Sequence, residues 1–333
     1  MASRLLCEID LEAPGKRTGF LRLPHSTHES AYGWIPIPIA VIANGRGPTI
    51  LLSAGNHGDE YEGQIALGRL IREVEPGQVQ GRIIALPALN FRAAQAGRRT
   101  SPVDGGNLNR SFPGVADGTP TQQIAYHMDS VILPLCDAVV DLHSGGSSLM
   151  YTPSALARRG DAAVFERQLG MLRAFGAPHS YIVQPGGLWG GTLSDACALR
   201  GIPQLGTELG GGGHATPATV GVAERGIAGV LRHLGIADLD WDGRVARPTR
   251  LLQVGGSDYF VHAPDPGVFE PLAEPGEEVK AGQPAGRLHQ TEVPWREPIA
   301  VHFARDGVVL VKRWPGMTAR GDCLFHLGTD LGG

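Results

Sequence analysis

The sequence predicts an α/β fold, a mixed sheet with helices on both faces, followed by a smaller C-terminal β-domain. Between residues 46 and 245, short apolar runs rich in Val, Ile and Leu alternate with stretches of helical length. That is the pattern of strands covered on both faces by the helices that connect them. After about residue 245 the helical spacing stops, and short apolar pieces broken by Gly and Pro take over. The length, 333 residues, exceeds what one hydrophobic core usually serves, so a large domain and a small one are expected.

The elements follow in order. Residues 1–45 read as short strands and turns packing on the main or the C-terminal domain. Within them Ile35 to Ile42 must be extended, because its prolines exclude helix and suit an edge strand. Asn44-Gly45 turns the chain into a strand at Ile50–Ser53, and Ile65–Val74 is helix-like. Strands are expected at Arg82–Pro87, Asp137–His143, Ser180–Gln184 and Ile202–Glu208. Helices are expected at Gln122–Leu135, Asp161–Phe175, Thr192–Arg200 and Val220–Leu234. The catalytic domain is drawn at 46–245 and the β-domain at 246–333, with strands at Gly267–Pro271, Glu277–Gly282 and Gly307–Val311. "GEEVKAGQPAG" is similar to half of a lipoyl or biotinyl barrel, but Lys280 sits within the strand pattern and not at a hairpin tip. A structural or interface role is therefore expected.

Composition excludes several classes. With 42% hydrophobic and 19% charged residues the chain has the makings of a real core. A formal charge of −4 without a basic run gives no footprint for nucleic acid or anionic membrane. No apolar run approaches the ~18 residues of a membrane span, and the N-terminus lacks the apolar segment of a signal peptide. The four cysteines are scattered and form no CxxC pair, so free thiols in a cytoplasmic protein are expected. A homodimer is the expected assembly on base rates.

Chemistry concentrates in Gly55-Asn56-His57-Gly58-Asp59-Glu60-Tyr61-Glu62-Gly63. His57 and Glu60 stand three apart at a strand-to-helix junction, and if that turn is helical they share a face. Imidazole plus carboxylate is part of a catalytic zinc site, which takes three protein ligands and keeps a fourth position open. His143, closing a strand and followed by Ser144-Gly145-Gly146, fits as the third ligand, with Asp141 two residues earlier on the same strand face to fix its tautomer. Glu208, ending an apolar strand beside four glycines, fits a base that takes a proton from water and passes it to the departing amine. Arg98-Arg99 and Gly106-Asn107-Leu108-Asn109-Arg110 offer a carboxylate clamp and a separate oxyanion-stabilising Arg.

Taken in order, "HGDEYEG", Asn90, Arg98-Arg99, "GGNLNRSFPG", "DLHSGG" and "TELGGGG" resemble the succinylglutamate desuccinylase/aspartoacylase family, which shares the zinc carboxypeptidase fold. The resemblance implies one zinc per chain, with His57, Glu60 and His143 as ligands and Glu208 as general base. It implies Asn109 and Arg110 as the clamp on the substrate α-carboxylate and Arg99 at the oxyanion, with Arg98 the adjacent alternative. The substrate class is then a small N-acyl amino acid. Three stretches, beginning "LPHSTHESAYG", "DLHSGGSSLMY" and "WGGTLSDACAL", are most similar to deacetylases acting on N-acetyl-2,4-diaminobutyrate in ectoine breakdown. N-acetylaspartate, N-succinylglutamate and a peptide C-terminus remain alternatives, as does a non-catalytic binding module. A cationic substrate side chain would need a carboxylate; Asp195 is a candidate, with a helix N-cap as its other reading. His214, just past the glycine run, is the remaining histidine best placed for a pocket.

Overall fold

A computed structural model describes residues 2–184, 190–241 and 247–332, so Trp189 and the expected boundary near 245 lie outside the described residues. The strands of the first two thirds are β1 Leu6–Cys7, β2 Gly15–Pro24, β3 Trp34–Asn44, β4 Thr49–Ala54, β5 Gly81–Leu86, β6 Ala138–Leu142, β7 Leu149–Tyr151, β8 Ser154–Arg158, β9 His179–Val183 and β10 Gln204–Glu208. Among the described residues six α-helices accompany them: α1 Glu62–Glu73, α2 Phe91–Ala96, α3 Pro120–His127, α4 Ala162–Phe175, α5 Leu193–Leu199 and α6 Pro217–His233. The remainder is β-rich, with β11 Arg250–Val254, β12 Phe260–His262, β13 Gly267–Pro271, β14 Glu278–Val279, β15 Pro284–His289, β16 Ile299–His302, β17 Gly307–Arg313, β18 Met317–Thr318 and β19 Cys323–Asp330.

The main sheet runs β1-β2-β3-β5-β4-β6-β10-β8-β9-β11-β19-β17-β14, and β16-β15-β13-β18 form a second sheet. Its centre is parallel: β5, β4, β6 and β10 point the same way, whereas β8 joins β10 antiparallel. The sheet is therefore mixed, as expected. In β4, Ile50 and Leu52 face one side while Leu51 faces the other, the two-residue alternation of a strand. The first side packs on α1, α4 and α6 through Leu67, Leu172 and Ile227; the second packs on α3 and α5 through Ile124 and Leu193. A third core, around Phe303, Phe325 and Leu327, belongs to the C-terminal strands.

Local chemistry sets the helix ends. Asp161 accepts the Val164 N–H at 3.1 Å to start α4, and Gly176, at φ 62°, stops it in the left-handed region that glycine tolerates. Thr119 and Gln122 form a capping box ahead of α3, with Pro120 in the first turn. Beyond His127 the helix continues as a π-turn and then a 3-10 turn to Leu135, filling the span expected to be helical.

Several expectations need correction. β3 is not an edge strand, since β2 and β5 flank it; β5 pairs only with Ala40–Asn44, so Pro36 and Pro38 lie beyond that ladder, where their missing N–H groups cost no hydrogen bond to β5. The strand expected over 277–282 shrinks to Glu278–Val279, and Lys280 falls in the turn beyond it, ion-paired with Asp306 at 2.9 Å. β7 and β8 were not anticipated. Antiparallel pairing carries β7 onto β17, joining the segment after His143 to the C-terminal strands.

Two histidines buried in separate cores set an acid limit on stability. His127 rests on Ser3 Oγ at 2.8 Å, and His326 lies flat on Phe260 with ring centroids 4.2 Å apart. Burial pushes each imidazole down to about 4. The unfolded chain, titrating near 6.5, then binds more protons than the fold between pH 6.5 and 4, so stability falls as pH drops through that window. The full effect is roughly 3 kcal/mol per histidine. His326→Phe should flatten the urea-midpoint profile between pH 7 and 4 relative to the parent; an identical slope would show that His326 does not carry this term.

Candidate metal centre and active site

β4, β6 and β10 are neighbours and parallel, so their C-terminal ends open onto one edge of the sheet. Such an edge is where open α/β sheets place their ligands. β4 delivers the turn carrying His57 and Glu60, β6 delivers His143, and β10 ends on Glu208. The first turn is not helical, because α1 begins only at Glu62. Instead a tight turn at Gly58-Asp59 folds Glu60 back onto His57. Gly58 sits so close to α2 that a Cβ there would lie 1.9 Å from the Ala93 carbonyl carbon, so only glycine fits.

Glu60 is the hub. One carboxylate oxygen lies 2.7 Å from His57 Nδ1, and the other 2.7 Å from His143 Nδ1. The Ser144 N–H donates to it at 3.2 Å, and Arg99 Nη1 stands 3.5 Å away. The opposite ring nitrogens are fixed from outside. His143 Nε2 faces Asp141 Oδ2 at 2.8 Å, and His57 Nε2 faces Asn107 Oδ1 at 3.1 Å. Asp141 is held by Ser53 and Asn56. With each Nε2 directed outward, each Nδ1 faces a Glu60 oxygen at a distance that a shared proton or a cation bridges. The three residues are buried, and one ligand atom from each lies within 4.8 Å of the others. This donor set, two imidazoles and a carboxylate, suits a divalent transition metal. Although burial acts to raise it, His57 and His143 hold Glu60 well below the usual carboxylate range.

Glu208 presents a contrast. One carboxylate oxygen is buried and lacks a hydrogen-bond partner among the described residues. Burial first, then the charge of Glu60, pushes it well above the usual range, while His143 and Arg99 oppose this. An unpaired carboxylate is costly to bury and is retained where chemistry uses it. Around it, Arg99, though exposed, reaches the His57–Glu60 pair, while the carbonyl of Arg98, also exposed, accepts the Gly58 N–H at 2.8 Å. Asn109 places its amide 3.4 Å from His143 Nε2 and accepts the Leu193 N–H at 3.1 Å. Arg110 is exposed, donating to the Asn109 carbonyl at 2.6 Å, in the electrostatic range of Arg99.

Asp195 does not point a free carboxylate at the site. It is the third residue of α5, closing a capping box with Thr192 and ion-paired with Arg158. His214 packs against Trp314, ring centroids 5.7 Å apart. Two contributors went unseen in the sequence. Asn107 orients His57 from two positions before Asn109, and its place in "GGNLNR" was the available signal. Asp59 accepts the Ser147 N–H at 2.8 Å, tying the first turn to the loop after His143; nothing local announced it.

The chain belongs to the succinylglutamate desuccinylase/aspartoacylase family: the sequence profile of that catalytic domain matches residues 46–234. It is thus a deacylase-class hydrolase with the zinc-carboxypeptidase-like fold. More particularly, it is 40% identical over 327 residues to the N-alpha-acetyl-L-2,4-diaminobutyric acid deacetylase of Halomonas elongata, covering 97% of this chain and 94% of that protein. Among solved structures, a succinylglutamate desuccinylase/aspartoacylase from Rhodobacter sphaeroides superposes with a TM-score of 0.94 at 42% identity, over 99% of this chain and 100% of the other. The product-bound ectoine utilization protein EutE (DoeB) from Ruegeria pomeroyi gives 0.94 at 38% identity, covering 99% of each chain. No helix among the described residues is long and apolar enough to cross a membrane.

Proposed function

We propose that this protein hydrolyses the amide of N-alpha-acetyl-L-2,4-diaminobutyrate to L-2,4-diaminobutyrate and acetate in ectoine degradation, using one zinc ion held by His57, Glu60 and His143. The observation that carries this reading is 40% identity to a deacetylase of that name along nearly the whole chain. The convergence of the three buried donors supports it. Bound zinc supplies Lewis acidity, making hydroxide available near neutral pH and polarising the amide carbonyl. Asp141 and Asn107 hold the two imidazoles so that Nδ1 of each faces inward. Glu208 accepts the proton of the attacking water and returns it to the leaving amine. Arg99 faces the oxygen on which negative charge develops, a placement typically worth ~10²–10³ in rate. Asn109 and Arg110 grip the α-carboxylate, which fixes the carbonyl relative to Glu208.

By the same reading, residues 46–245 form the catalytic domain, preceded by N-terminal strands at 1–45 and followed by a β-rich domain at 246–333. Four free cysteines fit a cytoplasmic setting; a homodimer is the assembly we expect. The test is a panel of N-acetyl-diaminobutyrate, N-acetylaspartate and N-succinylglutamate, monitored for free amine. We expect the first to give the highest kcat/KM, a chelator to abolish turnover, and added zinc to restore it. Indifference to chelation would remove the metal, and preference for another substrate would remove the assignment.

A further inference from the structure

The site has two chemically different ends, with Arg99 between them. On one side Arg110 lies in the electrostatic range of Arg99, Asp195 and Arg158, and the last two are themselves ion-paired. On the other, the half-buried Tyr151 is hydrogen-bonded through its N–H to Gly210, two residues past Glu208, and its hydroxyl is pushed well above the ordinary range by burial first and then by the charge of Glu208. Burial, with Glu208 adding to it, pushes the Tyr181 hydroxyl up as well. One end is charged and the other is aromatic.

Tyr151 is fixed there from two directions. Its N–H donates to the Gly210 carbonyl at 3.0 Å, and the Gly212 N–H donates to the Leu149 carbonyl at 3.0 Å, so β7 runs along the glycines that follow Glu208. A Cβ at Gly145 or Gly211 would stand 2.1 or 2.0 Å from the Leu149 oxygen, so side chains at either position would push β7 away. Across β7, Tyr151 pairs with Val311 of β17. The ring packs on the C-terminal core that contains Tyr181, Val311 and Phe325. It is a wall with little freedom to retreat.

In a substrate whose α-carboxylate is held by Asn109 and Arg110 and whose carbonyl lies between Arg99 and Glu208, the acyl substituent extends away from the charged end. We propose that Tyr151 is a specificity-determining residue whose ring, backed by the C-terminal core, closes the acyl end of the pocket and limits the substrate to short acyl groups. This rests on the proposed function and goes beyond it, since neither the metal donors nor the carboxylate clamp chooses acyl length.

The experiment compares N-acetyl-, N-propionyl- and N-butyryl-2,4-diaminobutyrate as substrates of the metal-replete full-length enzyme. Tyr151→Ala should raise the butyryl/acetyl ratio of kcat/KM about tenfold or more, the size expected when a pocket gains room for methylenes. Inhibition by free diaminobutyrate, which reads the carboxylate end, should stay within about twofold; Tyr151→Phe keeps the wall and should keep the parent ratio. Should the alanine variant not fold, Tyr151→Leu and Tyr151→Val must give a graded shift in the same direction. An unchanged ratio in variants that still hydrolyse the acetyl substrate overturns the role of Tyr151 and leaves the deacetylase reading intact. A parent enzyme that hydrolyses none of the series overturns both.

Discussion

Replacing Glu208 with glutamine should lower kcat by about 10²–10⁴, the usual contribution of a positioned proton-transfer group, while zinc content stays at the parent level. Glutamine matches the shape of glutamate but cannot accept the proton of an attacking water. The metal should be unaffected, because the buried donor cluster consists of His57, Glu60 and His143. The same substitution should not weaken the fold. One Glu208 oxygen is buried without a partner, and burial together with Glu60 disfavours its charge. A neutral side chain removes that repulsion, so the metal-free variant should melt at or above the parent temperature. Loss of turnover with equal or greater stability distinguishes a chemical role from a structural one. Parent-level turnover at equal metal content would withdraw the assignment.

The convergence of His57, Glu60 and His143 was legible in the sequence because parallel strands bring their C-terminal ends to a common edge. Once Ile50–Ser53, Asp137–His143 and Ile202–Glu208 read as strands, residues 57, 60, 143 and 208 had only one place to meet. Asp141 was legible for a related reason, since two residues along a strand return to the same face. The turn at His57 was less so: spacing of three suggested a helix, but Gly58 lets α2 approach so closely that the chain folds back first. Asn107 and Asp59 act across gaps of 50 and 88 residues, and no local pattern announces such pairs. β7 was hidden for the same reason. Three residues make no periodicity, and their partner strand lies at Gly307–Arg313. The N-terminal strands are also longer than their sequence suggested, ten residues in β2 and eleven in β3, because each supplies the other's hydrogen bonds.

Glu60→Gln should be the most damaging substitution for metal binding, reducing zinc affinity by more than the ~10–100-fold typical of losing an orienting partner. Asp141→Asn, which disturbs only the orientation of His143, should stay within that range. The difference follows from what each carboxylate faces. Asp141 meets the outer nitrogen of one ring, whereas Glu60 faces the inner nitrogens of both at 2.7 Å. Glutamine at 60 would remove the only negative charge within the donor trio. It would also turn an amide N–H₂ toward one imidazole, satisfying that lone pair with a hydrogen bond in competition with a cation. Zinc per chain after dialysis against a competing chelator, together with calorimetric titration of the apo protein, reads both effects without any assay of turnover. Parent-level affinity in Glu60→Gln would mean that the two histidines bind their ion without this carboxylate, and the geometry of the centre would have to be drawn again around a different third donor.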